Sequence, residues 1–573
     1  MSYNPLQSSH NHQVYQNEDP AFYQSTGYIT PAPAKPKRTS KWIKVGIPIL
    51  VILIAVGVVV GILVSRHKSG SASSTSSSSS SSAAAAASAS AKLAAGVLAT
   101  ATNSLFMIPV YPSSTNTASY TTPTFNAAAA GWPADSFAPA TPSVLSVRPD
   151  RPRLIAPKYK WDALPALIAK DPYLASWNHS IFLNASQYDA LPAVPYFMDG
   201  SSGILDVCRM IKQRVKAFSY VYRMTNNSHW VDRTWEELQN AAGNGTKPWG
   251  PTVDPWNSAH FLDTAELSAA FGIAYDWLYD MWTDDQKSKI RTSLIQYGLE
   301  PGVQGYTNSS VYTGWWNAVD GNWNCVCNNG LTMAALAILG DDTTGHAEQL
   351  LGLTVNNAKA HCAFAVANDG TWSETNDYWY FGNTGHSEMA ASLISATGSD
   401  YGLTTVNPDF WKTGMFHMYG TGATTVFNYG DTGPNKFTAT ANSLIFYANV
   451  FNQPQYALFQ RDYPDAADPW NMFWYNPQIQ GVFWDGLALD HFFDNSTDQW
   501  MSMRSSWTDP NAVFVGVKAG TILNHQTHND LDTGTFVLDA LGTRWAGELG
   551  DGDYNSPGYF STDGQSMTYP KLI

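Results

Sequence analysis

The spacing of apolar residues predicts two different kinds of structure along the chain. Between about residues 150 and 400 apolar residues recur at helical spacing, as in His260–Trp282 and Leu331–Ile338. After about residue 428 the segments are short, β-branched and bounded by glycine, as in Val513–Leu523 and Thr533–Leu541. We therefore predict a helical domain followed by a sheet domain, with the boundary near residue 425. A ring of helical hairpins is one economical arrangement for so many helices.

A third pattern precedes both domains. Val45–Ser65 is a run of 21 residues without a charge, and as a helix it would be about 32 Å long, enough to cross a bilayer. Residues 35–44 contain five basic side chains, whereas residues 66–68 contain two. This bias predicts a single-pass type II protein, with residues 1–44 as a disordered cytosolic tail and the large C-terminal region outside the cell or in the secretory lumen. Residues 66–147, rich in Ser, Ala and Thr, are expected to form a stalk.

Glycosylation sequons agree with this orientation, because all of them follow the predicted span: Asn178, Asn184, Asn226, Asn244, Asn308 and Asn495. Charge excludes one class of partner, since 32 basic and 46 acidic residues give a net charge of −14, which disfavours nucleic acid. Four cysteines are too few for a disulfide scaffold. We expect Cys325 and Cys327 to be half-buried thiols, because C-x-C without a nearby His is poor evidence for a metal.

Three clusters could carry chemistry. The first, Gly321–Gly330, places amides and an indole at the start of a helix, where they could bind a carboxylate or simply form caps and turns. The second, Asp369–Gly382, alternates aromatic residues with Glu, Asp and Asn, which suits a saccharide groove, although aromatics at this density also form cores. The third, His525–Phe536, places His528, Asp530 and Asp532 on one face of a strand, either as a metal or acid/base site or as a solvated face.

These three clusters, in this order, resemble those of the heparinase II/III-like polysaccharide lyases. The motifs are GNWNCVCNNG, the DGTWSE…YW…G block and HNDLDTGTFVLDALGTRWAGELG, and the resemblance runs from Arg151 to the end of the chain. It implies an (α/α) toroid over residues 148–425 and an antiparallel β-sandwich over residues 426–573. It also implies β-elimination at a uronic acid of an acidic polysaccharide.

The resemblance further implies roles for individual residues. Asn322 would help neutralise the substrate carboxylate so that charge can develop there. Tyr378 would be base, acid or both, which requires a cationic or hydrogen-bonded environment because a free phenol has a pKa of about 10. His528 would be a second acid/base group. Four residues of the same motifs are expected to bind substrate: Trp323, Asn324, Glu374 and Trp379.

The chain departs from the family pattern at several positions. Trp323 stands where several members have a His, which removes one candidate base. Asp530 and Glu548 stand at positions of metal ligands, so a divalent cation, zinc or calcium, is a candidate cofactor. A further His ligand normally follows later in the sandwich, and the chain ends at Ile573 before it. We therefore expect the sandwich to be incomplete.

Two other functions remain open at this level. A glycoside hydrolase on a similar toroid would use Glu374 with Asp320 or Asp532 as a carboxylate pair. A non-catalytic carbohydrate-binding protein at the cell surface would need no acid or base at all.

Overall fold

The structure is a computed structural model that describes residues 123–245, 248–308, 312–372, 374–432, 440–495, 498–520, 528–529 and 533–548. All of them belong to one of two compact units, Lys92–Ile573. The predicted tail, the span at 45–65 and most of the stalk lie outside the described residues. Within the described part, no helix has the length and apolar character that a membrane crossing needs.

Fourteen α-helices occur in the described residues. They are α1 (Lys158–Ile168), α2 (Pro172–Asp189), α3 (Leu205–Thr225), α4 (His229–Ala241), α5 (Phe261–Trp277), α6 (Asp284–Ser293), α7 (Glu300–Thr307), α8 (Asn322–Ile338), α9 (His346–Ala360), α10 (Thr375–Thr397), α11 (Thr413–Gly420), α12 (Ser443–Val450), α13 (Pro454–Gln460) and α14 (Asn471–Trp474). Five strands follow: β1 (Asp490–Phe493), β2 (Trp500–Arg504), β3 (Phe514–Lys518), β4 (Phe536–Ala540) and β5 (Thr543–Ala546).

The helices close into a ring. Helices α3, α5, α8, α10 and α12 pack in succession, each against the next, and α14 joins α12 to α2, which packs against α3. Helices α4, α9 and α11 each return the chain along the ring helix that precedes them. The prediction of a helical toroid followed by an antiparallel sheet is confirmed for the described residues.

The ring helices differ from ordinary surface helices because they are buried on nearly every side. All residues of α5 are buried, and in α8 only Trp323 is not fully buried. Such helices lack an exposed polar face, so their apolar residues are not confined to one side and the polar residues among them are buried as well.

A buried ion network crosses the ring. Lys212 of α3 lies 2.8 Å from Glu266 of α5 and 2.8 Å from Glu388 of α10, and Asn329 of α8 donates to the same Glu388 at 2.6 Å. Burial alone would lower the pKa of Lys212, but the two carboxylates together raise it, so the ammonium stays charged. Four ring helices therefore meet at one cation.

The sheet is an antiparallel meander in the order β1-β2-β3-β4-β5. Its buried face carries Trp500 and Arg504 of β2, and this face packs on α11. Arg504 donates from Nη2 to the carbonyl of Tyr419 at 2.8 Å, and the ring of Trp500 lies 5.4 Å from that of Phe416. The described part of the chain contains this one sheet, so the second sheet of the predicted sandwich is not among the described residues.

Two domain limits differ from those predicted. Helices α12 to α14 continue to Trp474, beyond residue 425, and they were missed because they are short and rich in aromatics. Residues 123–147 of the predicted stalk contact the helical unit, since Trp132 donates from Nε1 to the carbonyl of Tyr475 at 2.8 Å and Arg148 pairs with Asp135. That segment has no periodicity from which contact could be predicted.

The prediction of a half-buried thiol at Cys325 is wrong. Cys325, in the first turn of α8, forms a disulfide with Cys362 after α9, while Cys208 and Cys327 are buried free thiols. The two bonded cysteines are 37 positions apart, and the turn that follows α9 brings them together.

Candidate active site at the N-terminal rim of the helical ring

Helices α3, α5, α8 and α10 run parallel, so their N-terminal ends lie together. A Cβ added to Gly330 would meet the carbonyl oxygen of Ala265 at 2.1 Å, and one added to Gly272 would meet Ala334 at 3.2 Å. From the first contact to the second, the residue numbers rise along both α5 and α8, so these two helices point the same way. Equivalent pairs of contacts show the same for α8 with α10 and for α3 with α5. We call the common end, where α3, α5, α8 and α10 begin, the N-terminal rim. The first N–H groups and the positive ends of the helix dipoles collect there, which favours anions.

Asn322 and Glu374 form the centre of this rim. The backbone N–H of Asn322 donates to Glu374 Oε2 at 2.5 Å, and its side-chain Nδ2 donates to Oε1 at 3.0 Å. Gly321 makes the approach possible, because it has a φ of 139° and a Cβ there would lie 2.4 Å from Glu374 Oε1. The carboxylate thus fixes the orientation of the Asn322 amide.

Glu374 is 6% exposed. Burial raises its pKa, while the charge of His528 and the hydrogen bonds from Asn322 act in the opposite direction. The hydrogen bonds from the start of α8 partly offset the cost of burying this carboxylate.

Tyr378 and His528 form the second half of the site. Tyr378 lies in the first turn of α10, and its ring stacks on the imidazole of His528 with centroids 3.5 Å apart and planes 11° apart. His528 Nδ1 lies 3.0 Å from Oδ2 of Asp431, whose side chain is completely buried, and the backbone N–H of Asp431 donates to the carbonyl of His528 at 2.9 Å. When Nδ1–H donates to the carboxylate, Nε2 of the neutral ring is the basic nitrogen.

His528 also has a φ of 70°, a left-handed conformation that is uncommon outside glycine and is found at functional sites more often than elsewhere. Asp431 was not anticipated from the sequence, where it is one turn residue in a Gly-rich loop. The structure thus brings Asn322, Glu374, Tyr378 and His528 together at one rim.

The other predicted substrate-binding residues separate into two groups. Trp323 is half-buried at the rim. Asn324 is completely buried and donates to the carbonyl of Trp316 and to Asn357, whereas Trp379 is completely buried and donates to Thr413 at 2.9 Å. Asn324 and Trp379 are therefore not assigned to substrate binding, because their side-chain donors are already hydrogen-bonded within the helical unit.

The predicted metal site cannot be assembled from the described residues. Asp530 and Asp532 lie outside them, and Glu548 is half-buried, with its backbone carbonyl accepting from Asn428 at 3.0 Å. Within the described ranges no group of three or more His, Cys, Asp or Glu side chains is arranged to hold a metal ion. The zinc or calcium cofactor stays a prediction.

No protein-family model matches the chain, and no curated protein matches it. Among solved structures it is similar to the heparan sulfate lyase HepC from Pedobacter heparinus, with 15% identity and a TM-score of 0.36 over 69% of this chain and 61% of that one. It is also similar to a heparinase III, the BT4657 gene product, with 11% identity and a TM-score of 0.38 over 70% and 68% of the two chains. The chain spans less than two thirds of the length of HepC.

Proposed function

We propose that the protein is a polysaccharide lyase that cleaves a uronic-acid-containing polysaccharide by β-elimination. The observation that carries the proposal is that Asn322 hydrogen-bonds to Glu374 at the start of α10, where Tyr378 stacks on His528. The sequence resemblance assigned Asn322, Tyr378 and His528 separately, and their convergence supports those roles.

Asn322 would bind the substrate carboxylate. Its Nδ2 carries two N–H groups, of which one donates to Glu374 and the other would donate to an oxygen of the uronate. A hydrogen bond there, together with the dipoles of the rim helices, stabilises the negative charge that builds up on the carboxylate as C5 loses its proton.

Tyr378 and His528 would transfer the protons. One of the stacked pair removes the proton from C5, the electron pair forms the C4=C5 double bond, and O4 leaves with a proton from the acid. Asp431 would orient the imidazole of His528 and stabilise its protonated form, as a buried carboxylate does for a catalytic histidine. The cleavage consumes no water.

The net charge of −14 does not oppose a polyanionic substrate at this position. Association depends on the local field, and at the rim the helix N-termini act on an anion alongside the carboxylates of Asp206, Asp263, Glu374 and Asp377.

We further propose that the folded region is held outside the cell or in the secretory lumen by the predicted span at residues 45–65. The Cys325–Cys362 disulfide supports this location, because such bonds persist in oxidising compartments.

The test is incubation of the full chain with heparan sulfate, hyaluronan, alginate and polygalacturonate, followed by ultraviolet detection of the C4=C5 double bond. We expect unsaturated product from at least one polymer, and loss of nearly all of it in Tyr378→Phe. Tyr173→Phe is the matched control, because that phenol lies on α2 and donates to Asp462 at 2.8 Å, away from the rim. New reducing ends without unsaturation would replace the proposal with hydrolysis, and binding without cleavage would replace it with a carbohydrate-binding role.

A further inference from the structure

In a short segment beside the rim, one tryptophan is buried in the core and the tryptophan before it is partly exposed. In the 3₁₀ segment Tyr312–Ala318, Trp316 is completely buried and its ring stacks on Phe261 with centroids 5.1 Å apart and planes 29° apart. The backbone packs as closely as glycine allows, since a Cβ on Gly314 would meet the carbonyl oxygen of Gly305 at 1.9 Å. The segment is therefore anchored, while its neighbouring residue Trp315 is 38% exposed.

Trp315 forms an aromatic surface with Trp323. The two indole rings lie 4.6 Å apart between centroids and are inclined at 47°. Trp323 directly follows Asn322, so this surface adjoins the group proposed to bind the substrate carboxylate. An indole of this size left partly exposed next to a polar site is typical of a binding surface rather than of a core.

His260 adds a polar group to the edge of this surface. Its ring lies 4.8 Å from that of Trp323 at 77°, and its Nδ1 is 2.8 Å from Oδ1 of Asp263. Asp263 is completely buried and also accepts from the backbone of Ile204 and from Asn257, each at 2.8 Å. The imidazole is thus held in one orientation with its side chain 19% exposed, and Nδ1–H donation to Asp263 leaves Nε2 as the acceptor.

We propose that Trp315, Trp323 and His260 form a saccharide subsite that binds the sugar ring next to the uronate being cleaved. The apolar C–H face of a pyranose packs against the two indoles, and a ring hydroxyl donates to Nε2 of His260. The subsite rests on the proposed function for its substrate class, but it binds sugar whether or not elimination follows.

Binding without turnover tests the subsite. Oligosaccharides prepared from heparan sulfate, hyaluronan, alginate and polygalacturonate are titrated by calorimetry into the full chain carrying Tyr378→Phe. In that background Trp315→Ala and Trp323→Ala should each raise Kd about tenfold, as expected for loss of an aromatic contact. Trp545→Ala is the matched control, because that indole is 65% exposed on β5 and should leave Kd unchanged.

His260→Ala should weaken binding less than either tryptophan variant, and far-ultraviolet circular dichroism of each variant confirms that it is folded. The folded Trp315→Phe variant should recover most of the affinity, because it restores a flat aromatic face. Unchanged Kd in Trp315→Ala and Trp323→Ala would overturn the subsite, as would failure of the Tyr378→Phe chain to bind any of the four probes. Absence of elimination by the wild-type chain, with tryptophan-dependent binding intact in the Tyr378→Phe chain, would instead overturn only the proposed reaction.

Discussion

Replacing Cys325 and Cys362 with alanine removes the covalent bond that ties the first turn of α8 to the segment after α9. The bond closes a loop of 37 residues. In the chain-entropy description a loop of this length restricts the unfolded state by about 13 cal/mol/K, which corresponds to about 4 kcal/mol of stability at 25 °C. We therefore expect the double variant to lose about 4 kcal/mol of unfolding free energy. The start of α8, which carries Asn322, should also become less ordered.

The assay has two parts. Thiol titration of the unfolded, unreduced chain should detect two free thiols, those of Cys208 and Cys327, out of four cysteines. Denaturant unfolding should show that a reducing agent destabilises the wild-type chain by about the same 4 kcal/mol and leaves the double variant unchanged. Four titratable thiols, or equal stability of the two chains before reduction, would refute the reasoning.

Three further predictions concern charge and burial. Asp431→Asn should lower kcat of elimination about 100-fold or more with little change in KM, because His528 loses its orienting carboxylate; initial rates measure this, and an unchanged kcat would contradict it. Burial lowers the pKa of His417 to about 3. As the pH falls below about 6.5, this imidazole is therefore protonated in the unfolded chain but not in the folded one, and the unfolding free energy drops by about 3 kcal/mol by pH 4.5. His417→Phe, which keeps an aromatic ring against Trp379, should remove that loss in unfolding measured against pH, and an unaltered slope would count against it. Lys212→Met should lower the unfolding free energy by about 3–5 kcal/mol, because it leaves Glu266 and Glu388 buried without their cation. Lys158→Met, in the exposed pair with Asp162, should lower it by less than about 1 kcal/mol. Similar losses in the two variants would overturn the distinction.

The helical spacing of apolar residues predicted the helices of the ring. The predicted cap at the start of α6 illustrates why, since local chemistry decides it: Thr283 accepts from the backbone of Gln286, and Gln286 in turn accepts from the N–H of Thr283. The short helices α12 to α14 were not predicted because each has eight residues or fewer, too few to show a period.

Site residues in motifs were predictable one at a time, but their partners were not. Tyr378 and His528 are 150 positions apart, and only the fold shows that their rings stack. Asp431 and His260 carry no motif, since a turn aspartate and a histidine before a helix have many ordinary uses. Both acquire a role through a contact that depends on tertiary structure.

Cys362 shows the same limit in another form. A cysteine 37 positions from Cys325 gives no local sign of pairing, and the bond depends on how α9 turns back along α8. The spacing of Cys325 and Cys327 in the sequence therefore favoured a thiol at Cys325.

The most direct test of the central claim is the fate of solvent oxygen in the products of cleavage. In heavy-oxygen water, β-elimination by the full chain should give oligosaccharides with a C4=C5 double bond and no solvent oxygen at the new ends that were formed by breaking the C4–O4 bond. The Tyr378→Phe and Asn322→Ala chains should give almost none of this product. Saturated products that contain one solvent oxygen for each cut, or unsaturated product formed equally well by both variants, would contradict the account.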